Sequence, residues 1–435
     1  MRISRENTSP PLRVMKLDQK RISSSVKLAN PLAMGGELGV GRVRLLAIVT
    51  GGHFAIHWFQ QLFPVVLPSL KANLGLSDVQ VGALSSVRQL VNGAMDLPCG
   101  ILADSLARHR APLLASALLS MGVGYFLMGV LPVFAWVLIG CGLIGLGTAL
   151  WHPAAAAALS NNFPERRATA LSIHGMGATI SDTLTPLVAG FLLVTVSLNS
   201  FLAVQLGPAL IIALLIWAGL ARQFSKVEKP TTLSEHMREM VALAKNSTFV
   251  GITLATGFMQ MGRIVIITFL PIYLQEHLGY SPFALGVYIA LLHAMGIISQ
   301  PILGYLSDRL GRKAVLFPSF ITLGILFALL RTVAPGIPLA FVVAAIGLFF
   351  YTLLNITFAA AMDVAGSKLQ ATSYGLSSLM MQLATSPTPI VAGWLIGKYG
   401  IASTFALAGF FTLIGGLLLL PLRLYRGTRA ESLDR

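Results

Sequence analysis

Five ionisable residues stand in the middle of long apolar segments: His57, Arg88, Asp182, Arg263 and His293. A charged side chain at the centre of a bilayer costs about 2.5–3.5 kcal/mol, so such residues usually face an aqueous cavity or a partner. Arginine stays protonated, and its planar fork of donors matches the oxygens of a carboxylate or phosphonate. We therefore expect the two arginines to hold an anion between them, and the aspartate to carry a proton.

Other polar residues recur near these positions. Asp96 lies on the same helical stripe as Arg88, and Gln260 on the same stripe as Arg263. Asn355 adds an amide to a later apolar segment. The candidates for substrate binding are therefore Arg88, Arg263, His57, His293, Gln260 and Asn355, and those for proton coupling are Asp182 and Asp96.

Each of these residue types also has a structural alternative. Arg88 and Asp96 could instead pair with neighbouring helices and stabilise their packing. His53 and His57 could hydrogen-bond across helices. His152 could satisfy a backbone carbonyl that the following proline sets free. The residue types alone leave these alternatives open.

Composition indicates a membrane protein. Of the 435 residues, 55% are hydrophobic and only 11% are charged, whereas a soluble domain carries about 25% charged residues. The formal net charge of +15 would suggest nucleic acid in a soluble protein. Here the basic residues lie in connecting loops and form no interleaved basic and aromatic face, so we predict no nucleic-acid binding. Cys99 and Cys141 are expected to be small buried hydrophobes.

Soluble-enzyme chemistry has little support in this sequence. We find no nucleotide-binding loop, no metal-ligand cluster and no catalytic-triad spacing. The sequence therefore predicts no enzymatic activity, no cofactor and no metal site. Because an ATP-driven pump is excluded in this way, the energy must come from an ion gradient or from the gradient of the substrate itself.

Twelve segments satisfy the requirement of roughly 20 mostly apolar residues for crossing a bilayer. The predicted spans are 44–69, 79–102, 111–131, 133–158, 168–194, 200–220, 248–274, 283–306, 314–333, 337–362, 371–396 and 402–422. We expect an all-α membrane protein with a cytoplasmic tail over 1–43, a six-helix half over 44–220, a central cytoplasmic loop over 221–247, a second six-helix half over 248–422 and a cytoplasmic tail over 423–435.

The basic residues predict the orientation. With the N-terminus in the cytoplasm, 26 of the 31 Lys and Arg residues fall on the inner side, three in outer loops and two within spans. Basic residues are retained on the cytoplasmic side, so both termini are expected there, in a multi-pass protein of the inner (plasma) membrane. The N-terminal tail lacks the apolar stretch of a cleaved signal peptide.

An internal repeat links the two halves. GILADSLARH at 100–109 aligns with GYLSDRLGRK at 304–313 at an offset of 204, and PLVAG at 186–190 aligns with PIVAG at 389–393 at an offset of 203. Two matches at nearly one offset indicate a duplicated six-helix unit.

The repeated GxLxDxxxR pattern resembles the cytoplasmic-loop signature of the major facilitator superfamily. The first copy departs from the usual ending and the second is close to it. This resemblance implies two six-helix halves around a central cavity that opens alternately to either side. The residues that would control the inward face are Gly100, Asp104, Arg108, Gly304, Asp308 and Arg312.

A narrower resemblance lies in GLGTALWHP at 145–153, RRATALS at 166–172, GMG at 175–177 and His53 with Phe54. These strings are similar to the fosmidomycin-resistance branch, whose members are exporters. Residues 185–190 are similar to the proton-antiporter motif, with Thr185 and Ala189 in place of glycines.

The function predicted from these features is proton-coupled export of a small organic anion or drug, such as a fosmidomycin-like phosphonate, by a monomer. The first alternative is a proton symporter that imports an anionic metabolite. The second is a membrane receptor or scaffold that does not transport. Both copies of the loop motif and the charged mid-span residues argue against a scaffold, which would have no use for buried charges.

Overall fold

A computed structural model describes residues 39–106, 109–221, 233–365 and 370–424. The chain divides into two units, residues 1–43 and 44–435, and residues 39–43 are the only described part of the first unit. The α-helices are α1 Val40–Leu74, α2 Asp78–Ser105, α3 Arg110–Val130, α4 Phe134–Asn162, α5 Arg167–Thr195, α6 Leu198–Val204, α7 Leu206–Leu220, α8 Leu233–Ala244, α9 Ser247–Ile272, α10 Pro282–Leu310, α11 Arg312–Leu329, α12 Ile337–Phe350, α13 Thr352–Ala365, α14 Gln370–Thr385, α15 Thr388–Tyr399 and α16 Ala402–Leu418.

The helices confirm the predicted all-α fold with twelve spans. Among the described residues, nine helical segments are long and apolar enough to cross a membrane, and α16 is a shorter apolar helix. The first two spans, α1 and α2, fall outside that set, and both carry polar residues at helical spacing, such as His53 and His57 on α1 and Arg88 and Asp96 on α2. We call α1–α7 the first half and α9–α16 the second half.

Three of the predicted spans are built from two helices each. The sixth comprises α6 and α7, the tenth comprises α12 and α13, and the eleventh comprises α14 and α15. The tenth breaks at Tyr351, and the eleventh breaks before a Thr-Pro pair at 388–389. A short π-helix, Tyr273–His277, follows α9. Broken helices and π-helices in membrane proteins often lie beside functional cavities.

Polar caps explain where several helices begin. The Ser77 hydroxyl accepts a hydrogen bond from the Gln80 backbone N–H, and the Gln80 side chain accepts one from the Ser77 N–H. This capping box satisfies donors that have no partner within the first turn of α2. Asn246 caps α9 in a similar way.

The two halves touch tightly at one end of the bundle. We call the end at which α7 finishes at Leu220 and α9 begins at Ser247 the connection end, and the opposite one the distal end. Near the distal end α5 and α10 cross with backbones in contact: a Cβ added to Gly286 would lie 2.2 Å from the Pro186 carbonyl oxygen, and one added to Gly190 would lie 2.5 Å from that of Pro282. Only glycine allows this approach.

The same pair of helices separates toward the connection end. A Cβ added to Gly175 of α5 or to Gly304 of α10 would find no heavy atom of another described element within 4 Å. On the other side of the bundle, α2 stays in contact with α14 as far as Asp96, which accepts a hydrogen bond from Ser378 at 3.2 Å. The described helices therefore close the space between the halves at the distal end and leave it more open at the connection end.

Candidate functional site

A cavity of about 140 Å³ lies between the two halves. The first half contributes amides and one of the two mid-span arginines, and the second half contributes the other arginine and two aromatic rings. The lining residues are Gln60, Gln61, Pro64, Arg88, Gln89, Gln260, Arg263, Ile264, Ile267, Phe350 and Tyr351. The structure thus brings together three of the predicted substrate-binding residues: Arg88, Arg263 and Gln260.

Arg88 is positioned by close packing between α2 and α4. A Cβ added to Gly145 of α4 would lie 2.4 Å from the Arg88 carbonyl oxygen, so glycine at that position lets the two helices approach. The guanidinium lies over the Phe63 ring, 4.8 Å from its centroid, and donates to the Gln60 carbonyl at 3.3 Å. Its Nε atom is buried and has no hydrogen-bond partner among the described residues.

Arg263 lies on the opposite wall and is only 6% exposed. It donates to the side-chain oxygen of Gln260, one turn earlier on α9. Its guanidinium lies over the rings of Phe350 and Tyr351, at 4.3 and 4.8 Å from their centroids. Its Nε is also buried without a partner among the described residues. Aromatic faces stabilise a cation, but they do not neutralise its charge.

Asp182 on α5 does not pair with either arginine. Its Oδ1 accepts hydrogen bonds from His57 Nδ1 at 2.7 Å and from Gln61 Nε2 at 3.0 Å, both on α1. The carboxylate is buried, with 8% exposure. Because Gln61 also lines the cavity, one amide separates the cavity from the buried carboxylate.

Further histidines surround this pair. His53, His57 and His152 each offer a ring nitrogen within 4.8 Å of the other two. His174 stacks on His53, with ring centroids 3.8 Å apart and 5° between the planes. The spacing of His53 and His57, four residues apart on one helix, indicates a shared face. The approach of His152 and His174 from other helices was not predicted.

His293 is buried in the second half, and neither of its ring nitrogens has a partner among the described residues. Its ring lies 5.1 Å from that of Tyr351, so it stands behind the cavity wall. Phe350 and Tyr351 were not among the predicted site residues. Their signal in the sequence is weak, because aromatic residues in apolar spans are usually part of the packing core.

Two other predicted residues lie away from the central cavity. Asn355 donates to Gln300 at 3.3 Å and lines a second cavity of about 320 Å³ toward the connection end. Asp96 lies at the contact between α2 and α14, where it accepts the hydrogen bond from Ser378. The structure therefore separates these two residues from the arginine pair.

The second copy of the loop motif forms a charged network at the connection end. Arg312 donates to Asp308, to Asp363 at 2.9 Å and to Ser307 at 3.1 Å. Gly304, Asp308 and Arg312 line the second cavity together with Asn355. In the first copy, Gly100 is half-buried on α2. Arg108 lies outside the described residues, as does the side chain of Asp104.

An ion-pair cluster joins the halves at the distal end. Lys71 at the end of α1 lies 2.7 Å from Asp78 and 2.6 Å from Glu276, which belongs to the π-helix of the second half. Partial burial alone would lower the pKa of Lys71, but its hydrogen bonds to the two carboxylates more than offset this and raise the pKa above the ordinary value of 10.5. The amine is therefore fully charged at neutral pH.

The sequence matches a known protein family and resembles several of its members. The sequence model of the Major Facilitator Superfamily matches residues 49–299 and 252–433. An uncharacterized MFS-type transporter, YfnC of Bacillus subtilis, is 23% identical over 390 residues, which cover 87% of this chain and 92% of the relative. The fosmidomycin resistance protein of Escherichia coli is 23% identical over 289 residues, covering 64% and 68%.

A solved structure shares the fold. The bacterial homolog of the human lysosomal transporter Spinster, in its inward-facing and occupied conformation, superposes with a TM-score of 0.70. Sequence identity is 16%, and the match covers 88% of this chain and 97% of that protein.

Proposed function

We propose that this chain, which belongs to the Major Facilitator Superfamily, exports a small organic anion in exchange for protons. The family assignment makes it a multi-pass membrane transporter that binds a small molecule. One observation carries the anion assignment. Arg88 and Arg263 face one cavity from opposite halves, and neither forms an ion pair with a carboxylate among the described residues.

The physical argument concerns buried charge. A buried ion without a partner is strongly destabilised, so such groups are paired, neutralised or solvated in the resting protein. Here two cations share a cavity whose other polar side chains are four amides and the Tyr351 phenol. An anion with two or three oxygens would compensate both charges and occupy their unpaired donors. A volume of about 140 Å³ corresponds to about five water molecules, which suits a small phosphonate or carboxylate.

A phosphonate is the substrate class we favour. The string at 145–153 resembles the fosmidomycin-resistance branch. The Escherichia coli protein of that name aligns with 64% of the length of this chain. Residues of the same string position the site, since Gly145 lets α4 approach α2 at Arg88.

Proton coupling is assigned to Asp182 with His57. The carboxylate is buried and lies one amide away from the cavity. An anion that draws Gln61 toward the arginines would remove a hydrogen bond from Asp182, so substrate and proton would affect each other through a shared residue. This connection supports exchange, in which the proton enters as the anion leaves.

The two halves are in close contact at the distal end and farther apart at the connection end, and this difference supports alternating access. We propose that the connection end faces the cytoplasm of the inner membrane, as the basic residues indicate, and that both termini lie there. The tight α5–α10 crossing and the Lys71–Glu276 pair close the outer side. Rocking of the half over 44–220 against the half over 248–422 would then open it. The cavity is complete within one chain, which supports a working monomer.

A counterflow experiment tests the substrate class. Proteoliposomes containing the purified transporter would be loaded with unlabelled compound and supplied with labelled fosmidomycin. We expect phosphonates to exchange, whereas a neutral ester of the same compound and a hydrophobic cation do not compete. Exchange of the cation with no exchange of the phosphonate would overturn the anion assignment. In vesicles without internal substrate, uptake of labelled fosmidomycin driven by an inward proton gradient (acidic outside) would instead favour symport, whereas uptake driven by an outward proton gradient (acidic inside) is expected for exchange.

A further inference from the structure

A cluster of imidazole rings lies inside the first half, behind the wall of the arginine cavity. His53 and His57 are one turn apart on α1, and His152 lies on α4. One ring nitrogen from each lies within 4.8 Å of those of the other two. The ring of His57 stands edge-on to those of His53 and His152, with centroids 4.7 and 6.0 Å away. A third helix of the same half, α5, reaches these side chains through His174, which stacks on His53, and Asp182, which contacts His57.

The hydrogen bonds of the three rings fix their tautomers. Nδ1 of His53 lies 2.9 Å from the His174 carbonyl oxygen, and Nδ1 of His152 lies 2.9 Å from the Thr148 carbonyl oxygen. A carbonyl oxygen only accepts, so both Nδ1 atoms must carry the hydrogen. Nδ1 of His57 faces the Asp182 carboxylate, which also accepts. In all three rings the remaining lone pair is therefore on Nε2.

This pattern is the one that metal-binding histidines show. A ligating imidazole almost always donates its other ring N–H to a carboxylate or a backbone carbonyl, which holds the ring in place and makes the free nitrogen more basic. His53 supplies a second, independent observation. It is only 7% exposed, and its Nε2 has no hydrogen-bond partner among the described residues. A buried acceptor of this kind needs a partner.

We propose that His53, His57 and His152 bind one divalent transition-metal ion, with Zn²⁺ as the best-matched ion, through their Nε2 atoms. Imidazole nitrogens suit zinc, copper and nickel better than magnesium or calcium, which prefer oxygen ligands. Three histidines leave a fourth coordination position for water or an anion, as in open zinc sites. Bound at about 2.0–2.1 Å, the ion draws the three nitrogens closer together.

The other described residues leave part of the His152 ring uncovered, so one side of the site is not enclosed by protein. All three ligands belong to the first half, so the ion moves with that half and does not bridge the two. None of the three lines the arginine cavity. His57 also belongs to the pair proposed to carry the proton, but it meets Asp182 through Nδ1 and would meet the metal through Nε2. The metal site therefore goes beyond the proposed anion transport and does not rest on it.

Metal binding to the purified, full-length transporter tests this site directly. The affinity tag must be cleaved, since a polyhistidine tag binds the same ions. After chelator treatment the protein in detergent would be equilibrated with Zn²⁺, and bound zinc would be counted by mass spectrometry. We expect one ion per chain. With Co²⁺ in place of Zn²⁺, we expect the intense visible absorption of a tetrahedral site.

Variants locate the ion. His152→Gln and His57→Gln should each weaken zinc binding by about tenfold or more. The matched control is His277→Gln, because His277 is exposed and lies outside the cluster. It should bind zinc like the wild type, as should Arg263→Lys even if that variant no longer transports. If His57→Gln does not fold, His152→Gln decides alone, since its side chain is exposed. A wild-type protein that binds no zinc, or equal affinity in His152→Gln, would overturn the proposal.

Discussion

The two walls of the central cavity each present an arginine, but what lies behind each arginine differs. In the first half, Arg88 lies over Phe63 and lines the cavity together with amide side chains. The His57–Asp182 pair of the same half lies behind one of those amides, Gln61. In the second half, the Arg263 guanidinium lies over Phe350 and Tyr351, and behind them stands His293, whose ring nitrogens have no hydrogen-bond partner in the described part of the chain. One wall carries a titratable carboxylate, and the other surrounds its charge with apolar and aromatic surface.

This difference does not follow from the internal repeat. At the repeat offset of 204, Arg88 corresponds to Leu292 and Arg263 to Phe59, so neither arginine has an arginine counterpart. The duplicated unit supplies the helices, whereas the charges of the site were placed separately in each half. We infer that the second wall sets the affinity for the anion and that the first wall links this binding to a proton.

Arg263→Lys should have the largest effect on this division of roles. Lysine keeps the charge but loses the planar fork and the stacking on Phe350 and Tyr351. Hydrogen bonds to charged groups contribute about 1.5–3 kcal/mol, so we expect anion counterflow to fall by about 10- to 100-fold. Arg331→Lys, in an exposed turn at the distal end, is the matched control. Equal counterflow in the two variants would remove Arg263 from the site.

Asp182→Asn separates coupling from binding. Asparagine cannot ionise, yet it can still accept hydrogen bonds from His57 and Gln61. We expect substrate counterflow to stay within about twofold of the wild type, a change below 0.5 kcal/mol, while the stimulation by a pH gradient is lost. Asp96→Asn is the comparison, because Asp96 contacts Ser378 between the halves. Loss of pH dependence in Asp96→Asn alone would move the proton site to Asp96.

Asp308→Asn tests the network at the connection end. The change weakens one contact of Arg312 and leaves those to Asp363 and Ser307. Asp308 lines the second cavity and not the one that holds the arginine pair, so we expect slower turnover, by a few-fold, with unchanged equilibrium affinity for the anion. The measurement is the turnover number in proteoliposomes beside binding to detergent-solubilised protein. Lost affinity at normal turnover would contradict a gating role.

Lys71→Gln should have the smallest effect. It removes the pair with Glu276 that joins the halves at the distal end. Ion pairs near a protein surface contribute about 0–1 kcal/mol, so the outward-open population should rise by at most about fivefold. Labelling of a cysteine at Ile267, a cavity residue, by an impermeant reagent from outside reports this shift. The control is Lys398→Gln, whose amine lies over Trp394. Equal labelling in both variants would show that the Lys71–Glu276 ion pair does not stabilise the closed distal end.

The sequence predicted the spans and the two arginines because both are local features. Twenty apolar residues identify a membrane helix wherever it packs, and a charged residue inside one is conspicuous. The breaks at Tyr351 and before Thr388 were not predicted, since they depend on how the helices pack around the cavity. Asn355 shows the limit in another way. Its depth in the span was plausible, but the rotation of α13 places it in the second cavity.

The histidine cluster was missed for a similar reason. His53 and His57 are neighbours on one helix, but His152 lies almost 100 residues later on α4, and no motif joins residues across such a distance. Only the packing of α4 against α1 shows that the three rings meet. The prediction of no metal site rests on ligand spacing along the chain, and such spacing cannot detect histidines that are brought together from separate helices.

Arg88 and Arg263 should hold the same anion, since they face one cavity from opposite halves. A double-mutant cycle on equilibrium binding of a phosphonate measures this directly, using Arg88→Lys, Arg263→Lys and the double variant. If both arginines contact one anion, the two losses are not additive, and the interaction free energy is about 0.5–3 kcal/mol. Losses that add to within about 0.3–0.5 kcal/mol would mean that the two arginines act at separate places, which would contradict a shared site.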